Sequence, residues 1–224
     1  MIQAVAFDFD GILVDSERIK MQCYVDALCK LANRSASLSS KDLVSKIGED
    51  EKSIVRFIIA KTNLLNDQQI SSFIEMKRQL FEQKINQGSI LFFEETIALA
   101  KILHSSGVKV GIVTGSHSQT VRQIFQFSRE NLNIFSVLLG REKVAKSKPN
   151  PELYEMFLSE LGLRPSHCLA IEDSPAGISA SCAAGILTYS PTRPYNNNSN
   201  NNLLVKFQDL KSLSDATMQR FIAS

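Results

Sequence analysis

Asp8 and Asp10 are separated by one residue at the end of an apolar run, Ile2 to Phe9. If that run is a strand, its period of two puts both carboxylates on one side. Two carboxylates held close repel each other and need a cation or a shared proton. Other polar residues follow apolar runs further along: Thr114-Gly115-Ser116, Lys148 and Glu172-Asp173. This set suits phosphoryl transfer. One carboxylate can attack phosphorus and form an aspartyl-phosphate, and a second can protonate the leaving oxygen and then deprotonate water. With Asp8 and Asp10, Glu172 and Asp173 would complete a site for a hard divalent ion such as Mg²⁺, which prefers oxygen ligands. Thr114 offers a hydroxyl, the Gly115 and Ser116 amides open a turn that favours anions, and Lys148 adds a point positive charge.

Each of these features also has a plainer reading. An aspartate after a strand is often a turn former. Thr-Gly-Ser is a common turn, Lys148 before Pro149 an ordinary loop lysine, and Glu172-Asp173-Ser174 before Pro175 a helix N-terminus satisfying its own amides. Capping explains their recurrence at successive strand ends less easily.

The elements that must position these residues follow from periodicity. Ile2 to Phe9 reads as a strand in which Val5, Phe7 and Phe9 alternate with small or polar residues. Ser16 to Gly88 has little strand character. Phe73, Met76, Leu80 and Phe81 recur there at helical spacing, and Ser53 stands as an N-cap before Ile54, Phe57 and Ile58. Beyond residue 90 strands and helices alternate. The predicted helices are Glu94–Ser106, one capped by Ser118 that carries Val121, Ile124 and Phe125, Glu152–Leu161, and Pro175–Ala184. The predicted strands are Val108–Val113, Ser136–Leu139, Cys168–Ile171 and Ile186–Tyr189. Alternation of this kind implies an α/β fold with a parallel sheet flanked by helices, and in such sheets ligands bind beyond the carboxyl ends of the strands. The helical block is too long for a crossover. It reads as a second domain, residues 16–89, inserted into a core made of residues 1–15 and 90–224. The tract Asn196–Asn202 is low in complexity and reads as a surface loop.

Composition sets the outer limits. The 25 Lys+Arg against 23 Asp+Glu leave +2, which gives no global case for nucleic acid or an anionic membrane. No apolar run approaches a membrane span, and no basic region precedes a signal-like core. The four cysteines, Cys23, Cys29, Cys168 and Cys182, suggest neither a disulfide framework nor zinc. A cytoplasmic globular protein is the expectation, with a monomer plausible.

The run Phe7-Asp8-Phe9-Asp10-Gly11-Ile12-Leu13-Val14-Asp15-Ser16-Glu17 closely resembles the first motif of the haloacid dehalogenase-like superfamily, in the branch holding β-phosphoglucomutases and small-molecule phosphatases. Thr114 matches the second motif. Lys148-Pro149-Asn150-Pro151-Glu152, with Tyr154, resembles the third, with Glu where Asp is usual. Glu172-Asp173-Ser174, with Gly177 and Ala183-Ala184-Gly185, resembles the fourth. The resemblance implies a Rossmann-like parallel-sheet core with helices on both faces and an inserted α-helical cap that closes over the site. It makes Asp8 the nucleophile and a metal ligand, and Asp10 the general acid/base that gives its backbone carbonyl to Mg²⁺. Thr114 and Lys148 would hold the phosphoryl oxygens, and Asp173, with Glu172 beside it, would bind the metal. Gly11, Gly115, Ser116, His117 and Lys52 are the further substrate-binding candidates.

The expected activity is Mg²⁺-dependent hydrolysis of a small phosphomonoester, such as a sugar phosphate. The alternative is a phosphohexomutase like β-phosphoglucomutase, and a less favoured one is a phosphorylation-dependent binding protein. Mutase-like caps usually carry a basic residue shortly after a glycine near this position. Here the chain reads Gly48-Glu49-Asp50-Glu51-Lys52, an acidic run that would repel a second phosphate, and this favours the phosphatase. Lys46, Lys52 and Arg56 are the basic residues available in the cap.

Overall fold

The structure, a computed structural model, describes residues 2–47 and 49–191 and the backbone of 204–207. Gly48 and the Asn196–Asn202 tract lie outside the described residues. The chain divides into two compact units, Met1–Val14 with Phe92–Ser224, and Asp15–Leu91.

The first unit is built on a parallel sheet. Its strands are β1 (Ala4–Phe7), β2 (Lys109–Val113), β3 (Phe135–Leu139), β4 (Cys168–Ile171), β5 (Leu187–Pro191) and β6 (Leu204–Phe207), in the order β3-β2-β1-β4-β5-β6. All neighbours pair in parallel. The chain winds outward from β1 to β3, then crosses back to β4 on the other side of β1. This reversal leaves a crevice at the carboxyl ends of the strands flanking β1, the usual place for a ligand. Register makes those ends level: Phe7 is paired with Ile112 on one side and with Ile171 on the other.

β1 is buried at all four positions, as expected of a parallel strand covered on both faces. The two faces are filled differently. Ala4 and Ala6 share a core with Tyr154 and Phe157 of the helix Glu152–Leu161. The same crowding explains Gly111 on β2, where a Cβ would lie 2.6 Å from the Phe157 ring. On the other face the aromatics meet edge to face, with Phe7 6.3 Å from Phe135 and Phe92 4.8 Å from Phe125 between ring centroids. Such pairs each add roughly 0.5–1.5 kcal/mol beyond the burial itself. β1 ends at Phe7, two residues sooner than expected, because the Phe9 carbonyl turns the chain by accepting from the amides of Leu13 and Val14. Both aspartates therefore lie in the turn after the strand, not within it.

Among the described residues four helices flank this sheet: α4 (Glu94–Ser105), α5 (Ser118–Gln126), α6 (Glu152–Leu161) and α7 (Pro175–Ala183). α6 follows Pro151 and stops at Gly162, whose φ of +66° suits a residue without a Cβ. Ser118 is the first residue of α5 rather than its cap. His117 holds the cap position, and the Ser118 hydroxyl and amide are both given to Glu142.

The second unit comprises α1 (Glu17–Ala32), α2 (Glu51–Thr62), α3 (Ile70–Asn86) and a 3-10 segment, Ser40–Lys46. The cap of α2 is Asp50, which accepts from the Lys52 and Ser53 amides. Ser53, expected as the cap, instead donates its hydroxyl to Asp50. A carboxylate there also meets the positive end of the helix dipole. On α3, Phe73, Leu80 and Phe81 are buried as their spacing predicted, but Lys77 is buried among them. Its ammonium donates to Glu51 at 3.1 Å and stands 4.9 Å from the Tyr24 ring centroid. The long aliphatic stem covers apolar surface while the head finds a charge and a π-face.

Cys23, Cys168 and Cys182 are buried, Cys29 partly so, and all four are free thiols. Burial pushes the thiols of Cys23 and Cys168 up to about 11, which keeps them protonated and unreactive. Among the described residues no helix is long and apolar enough to cross a membrane.

Candidate active site

The candidate site is assembled at the level ends of three strands, β1, β2 and β4. Asp8 leaves β1 with its amide donating to the Ile171 carbonyl of β4 at 2.9 Å. Thr114 leaves β2, fully buried, with its amide on the Leu139 carbonyl of β3 at 2.9 Å. Glu172 leaves β4 with its amide on the Tyr189 carbonyl of β5 at 3.0 Å. Each functional side chain is thus tied by its own backbone to the next strand.

Lys148 joins these ends. Its ammonium donates to Asp8 Oδ1 at 2.8 Å, to the Val113 carbonyl at 2.9 Å and to Glu172 Oε1. Burial favours the neutral amine, but Asp8 and Glu172 outweigh it and raise Lys148 above its ordinary value, so it stays charged. The loop that delivers Lys148 is held by Glu152, whose two oxygens accept from the Ala145 amide at 3.2 Å and the Lys146 amide at 3.0 Å. A Glu where the resembling motif has Asp therefore still clamps this loop from the start of α6.

Asp8, Glu172 and Asp173 are all buried, and each offers a carboxylate oxygen within 4.8 Å of the others. Burial first, then the charge of Glu172, raises the Asp8 carboxyl well above its usual range even with Lys148 beside it. Three carboxylates around one ammonium leave an excess of negative charge that an oxygen-preferring divalent cation would neutralise. Two glycines make room for the cluster. A Cβ on Gly11 would stand 2.0 Å from Asp173 Oδ2, and one on Gly177 would stand 2.1 Å from Glu172 Oε2. The donor set fits Mg²⁺.

The carboxylate of Asp10 lies outside this cluster. Ser116 Oγ donates to Asp10 Oδ2 at 2.5 Å, so the side chain is oriented from the β2 turn. In the same turn Thr114 Oγ1 accepts from the Ser116 amide at 3.0 Å, which leaves its O–H available as a donor, and Gly115 opens onto free space. The His117 ring is exposed, with Nδ1 3.5 Å from Glu142 Oε2. Lys52 belongs to the helical unit, in the first turn of α2, and is exposed.

The helix-cap reading of Glu172-Asp173-Ser174 holds for the serine alone. Ser174 Oγ accepts from the Gly177 amide at 3.0 Å, whereas Glu172 is bound by Lys148 and by the Tyr154 hydroxyl at 2.5 Å. Tyr154 and Glu142 were not singled out for roles at the site. Tyr154 sits two residues beyond the Glu152 clamp, on the same helical turn. Glu142 has no sequence signal, since its partners are 24 residues away.

A family model described as haloacid dehalogenase-like hydrolase matches residues 5–190, which include every strand-end residue named above. The chain belongs to the haloacid dehalogenase-like hydrolase family. Among its relatives, this hydrolase is 30% identical over 200 residues to phosphoglycolate phosphatase of Yersinia pseudotuberculosis, covering 87% of this chain and 83% of that one. It is 28% identical over 198 residues to protein CbbY of Rhodobacter capsulatus, covering 83% of each. Its fold matches the crystal structure of CbbY from Rhodobacter sphaeroides in complex with phosphate with a TM-score of 0.75 at 20% identity, over 95% of this chain and 96% of that one.

The hydrolase's tightest constraint is testable at Gly11. Its φ is +81°, and any Cβ would collide with Asp173. Gly11→Ala should therefore displace Asp173 and weaken Mg²⁺ binding by about tenfold or more, with a backbone cost of roughly 1 kcal/mol. Isothermal titration with Mg²⁺, alongside a thermal melt, separates the two effects.

Proposed function

We propose that this hydrolase is a Mg²⁺-dependent phosphatase of small-molecule phosphomonoesters, working through an aspartyl-phosphate at Asp8. The observation that carries the reading is one lysine bonding the candidate nucleophile and a metal-type carboxylate together, Lys148 on Asp8 Oδ1 and Glu172 Oε1. The relatives named phosphoglycolate phosphatase support the substrate class.

In this reading Asp8 attacks phosphorus, the bond from phosphorus to the ester oxygen breaks, and Asp10 gives its proton to the leaving oxygen. Asp10, now ionised, takes a proton from water as that water attacks phosphorus. The bond between phosphorus and Asp8 breaks, phosphate leaves, and both carboxyl groups return to their starting states. Ser116 keeps Asp10 aimed through this cycle, while Lys148 and Thr114 hold the phosphoryl oxygens. Asp8, Glu172, Asp173 and the Asp10 backbone carbonyl would hold Mg²⁺, which supplies neutralising charge for the phosphoryl group when bound. The helical unit Asp15–Leu91 is the proposed cap that selects the substrate, with Lys52 among its candidate contacts.

The acidic run Glu49-Asp50-Glu51 is already compensated by neighbours in its own unit. Glu49 pairs with Lys46 at 2.9 Å, Asp50 is spent as a helix cap, and Glu51 is bound by Lys77 and Arg78. The acidic run is therefore largely neutralised within its own unit and does not by itself reject a second phosphate. Products decide between the readings. A panel of metabolite monophosphates including phosphoglycolate, assayed with Mg²⁺ and with EDTA, should release inorganic phosphate only with the metal. Conversion of β-glucose 1-phosphate to glucose 6-phosphate with a bisphosphate primer, without phosphate release, would replace the phosphatase reading with the mutase.

A further inference from the structure

An ammonium has three donors and no acceptor. Those of Lys148 are all committed, to Asp8 Oδ1, the Val113 carbonyl and Glu172 Oε1. To grip an arriving phosphoryl oxygen, Lys148 must release one of them, and a buried carboxylate oxygen stripped of its donor is costly. Glu172 Oε1 has a second donor in place. The Tyr154 hydroxyl lies 2.5 Å from that same oxygen, and the Tyr154 ring centroid is 5.1 Å from the Lys148 ammonium. Tyr154 is fully buried on the first turn of α6, packed among Ala6, Val113 and Phe157 in the core. The phenol is fixed in place, whereas Lys148 reaches the site from a loop on a flexible stem.

We infer that Tyr154 is a positioning residue that keeps Glu172 Oε1 satisfied while Lys148 turns from it to the phosphoryl group. The inference rests on the phosphatase reading and adds a residue to it. A phenol keeps its proton at neutral pH and so can donate to Glu172 throughout. Without the hydroxyl, Lys148 stays on Glu172, and the phosphoryl group loses a charge-assisted hydrogen bond.

The test is Tyr154→Phe in the full chain, which keeps the ring and its packing. Inorganic phosphate is titrated calorimetrically into the Mg²⁺-loaded protein, and kcat/KM is measured on a substrate the wild type hydrolyses. Phosphate affinity and kcat/KM should both fall about tenfold. A hydroxyl that only supported the fold would lower the melting temperature and the active fraction, and leave the phosphate Kd of the folded protein unchanged. That result, or a variant matching wild type throughout, overturns the inference while the phosphatase reading stands. A wild type that neither binds phosphate nor hydrolyses any ester overturns both. Should Tyr154→Phe fold poorly, tyrosine replaced globally by 3-fluorotyrosine gives a wild-type-shaped protein with a weaker phenolic base and stronger donor. Its phosphate affinity should then shift from that of the unlabelled protein, and an identical Kd counts against the inference.

Discussion

Asp8→Asn is expected to abolish turnover while raising the melting temperature of the metal-free protein. An amide is no nucleophile toward phosphorus, so kcat should drop by at least about 10⁴-fold. Stability should move the other way. Asp8 is buried beside Glu172 and Asp173, and the Lys148 ammonium bonds only Asp8 and Glu172 of the three. Asparagine keeps the shape and an acceptor for Lys148, and removes one like charge. In EDTA the variant should therefore melt above wild type, and saturating Mg²⁺ should narrow the gap because the metal relieves the same repulsion. Phosphate release assays and paired melts with EDTA and Mg²⁺ check both signs. Full Mg²⁺-dependent activity in the variant would remove Asp8 from the chemistry, and a lower metal-free melting temperature would show that Asp8 is not held against repulsion.

Lys148→Ala should do the most damage to the fold and the reaction together. The side chain is 7% exposed and bonds two buried carboxylates. Breaking a buried pair by removing one partner costs about 3–5 kcal/mol, because the other charge stays buried without compensation. With Lys148 as the proposed phosphoryl clamp, its loss should lower kcat on the order of 10²–10³-fold. Part of the lost stability should return with Mg²⁺, since a divalent ion neutralises the same cluster. Activity should not return, since the metal cannot replace a donor fixed to the loop before Pro149. Denaturant unfolding with and without Mg²⁺, with kcat measured in parallel, tests this. A variant as stable as wild type in EDTA would mean that the carboxylates find another partner.

Both predictions rest on residues visible in the sequence. Asp8, Thr114, Lys148, Glu172 and Asp173 all follow apolar runs, and parallel strands of matched register bring such positions to one edge. The helix end at Leu161, and to within one residue that at Ala183, were legible for a similar reason, since they are set by local backbone preference. Choices between neighbouring candidates were less legible. Asp50 rather than Ser53 caps α2, and His117 rather than Ser118 precedes α5. Asp and Ser both cap well, and His117 holds its position with no side-chain bond to the helix, so the entry angle of the chain decides among neighbours.

The sequence by itself determined the chemistry available and the order in which it is presented. It carried a carboxylate pair, a hydroxyl turn, a lysine and an acidic pair after successive strands, and a helical block set between the first strand and the rest. Local propensity and period suffice for that, because each signal lies within a few residues of its cause. Only the tertiary structure decided how the charges are used. Glu51 is neutralised by Lys77 and Arg78 from another helix, Glu142 braces the turn before α5, and Tyr154 shares Glu172 Oε1 with Lys148. It also separated the two aspartates of the first motif, sending Asp8 to Lys148 and Asp10 to Ser116. Electrostatic energy depends on distance and burial, and between residues far apart in the chain both are set by packing.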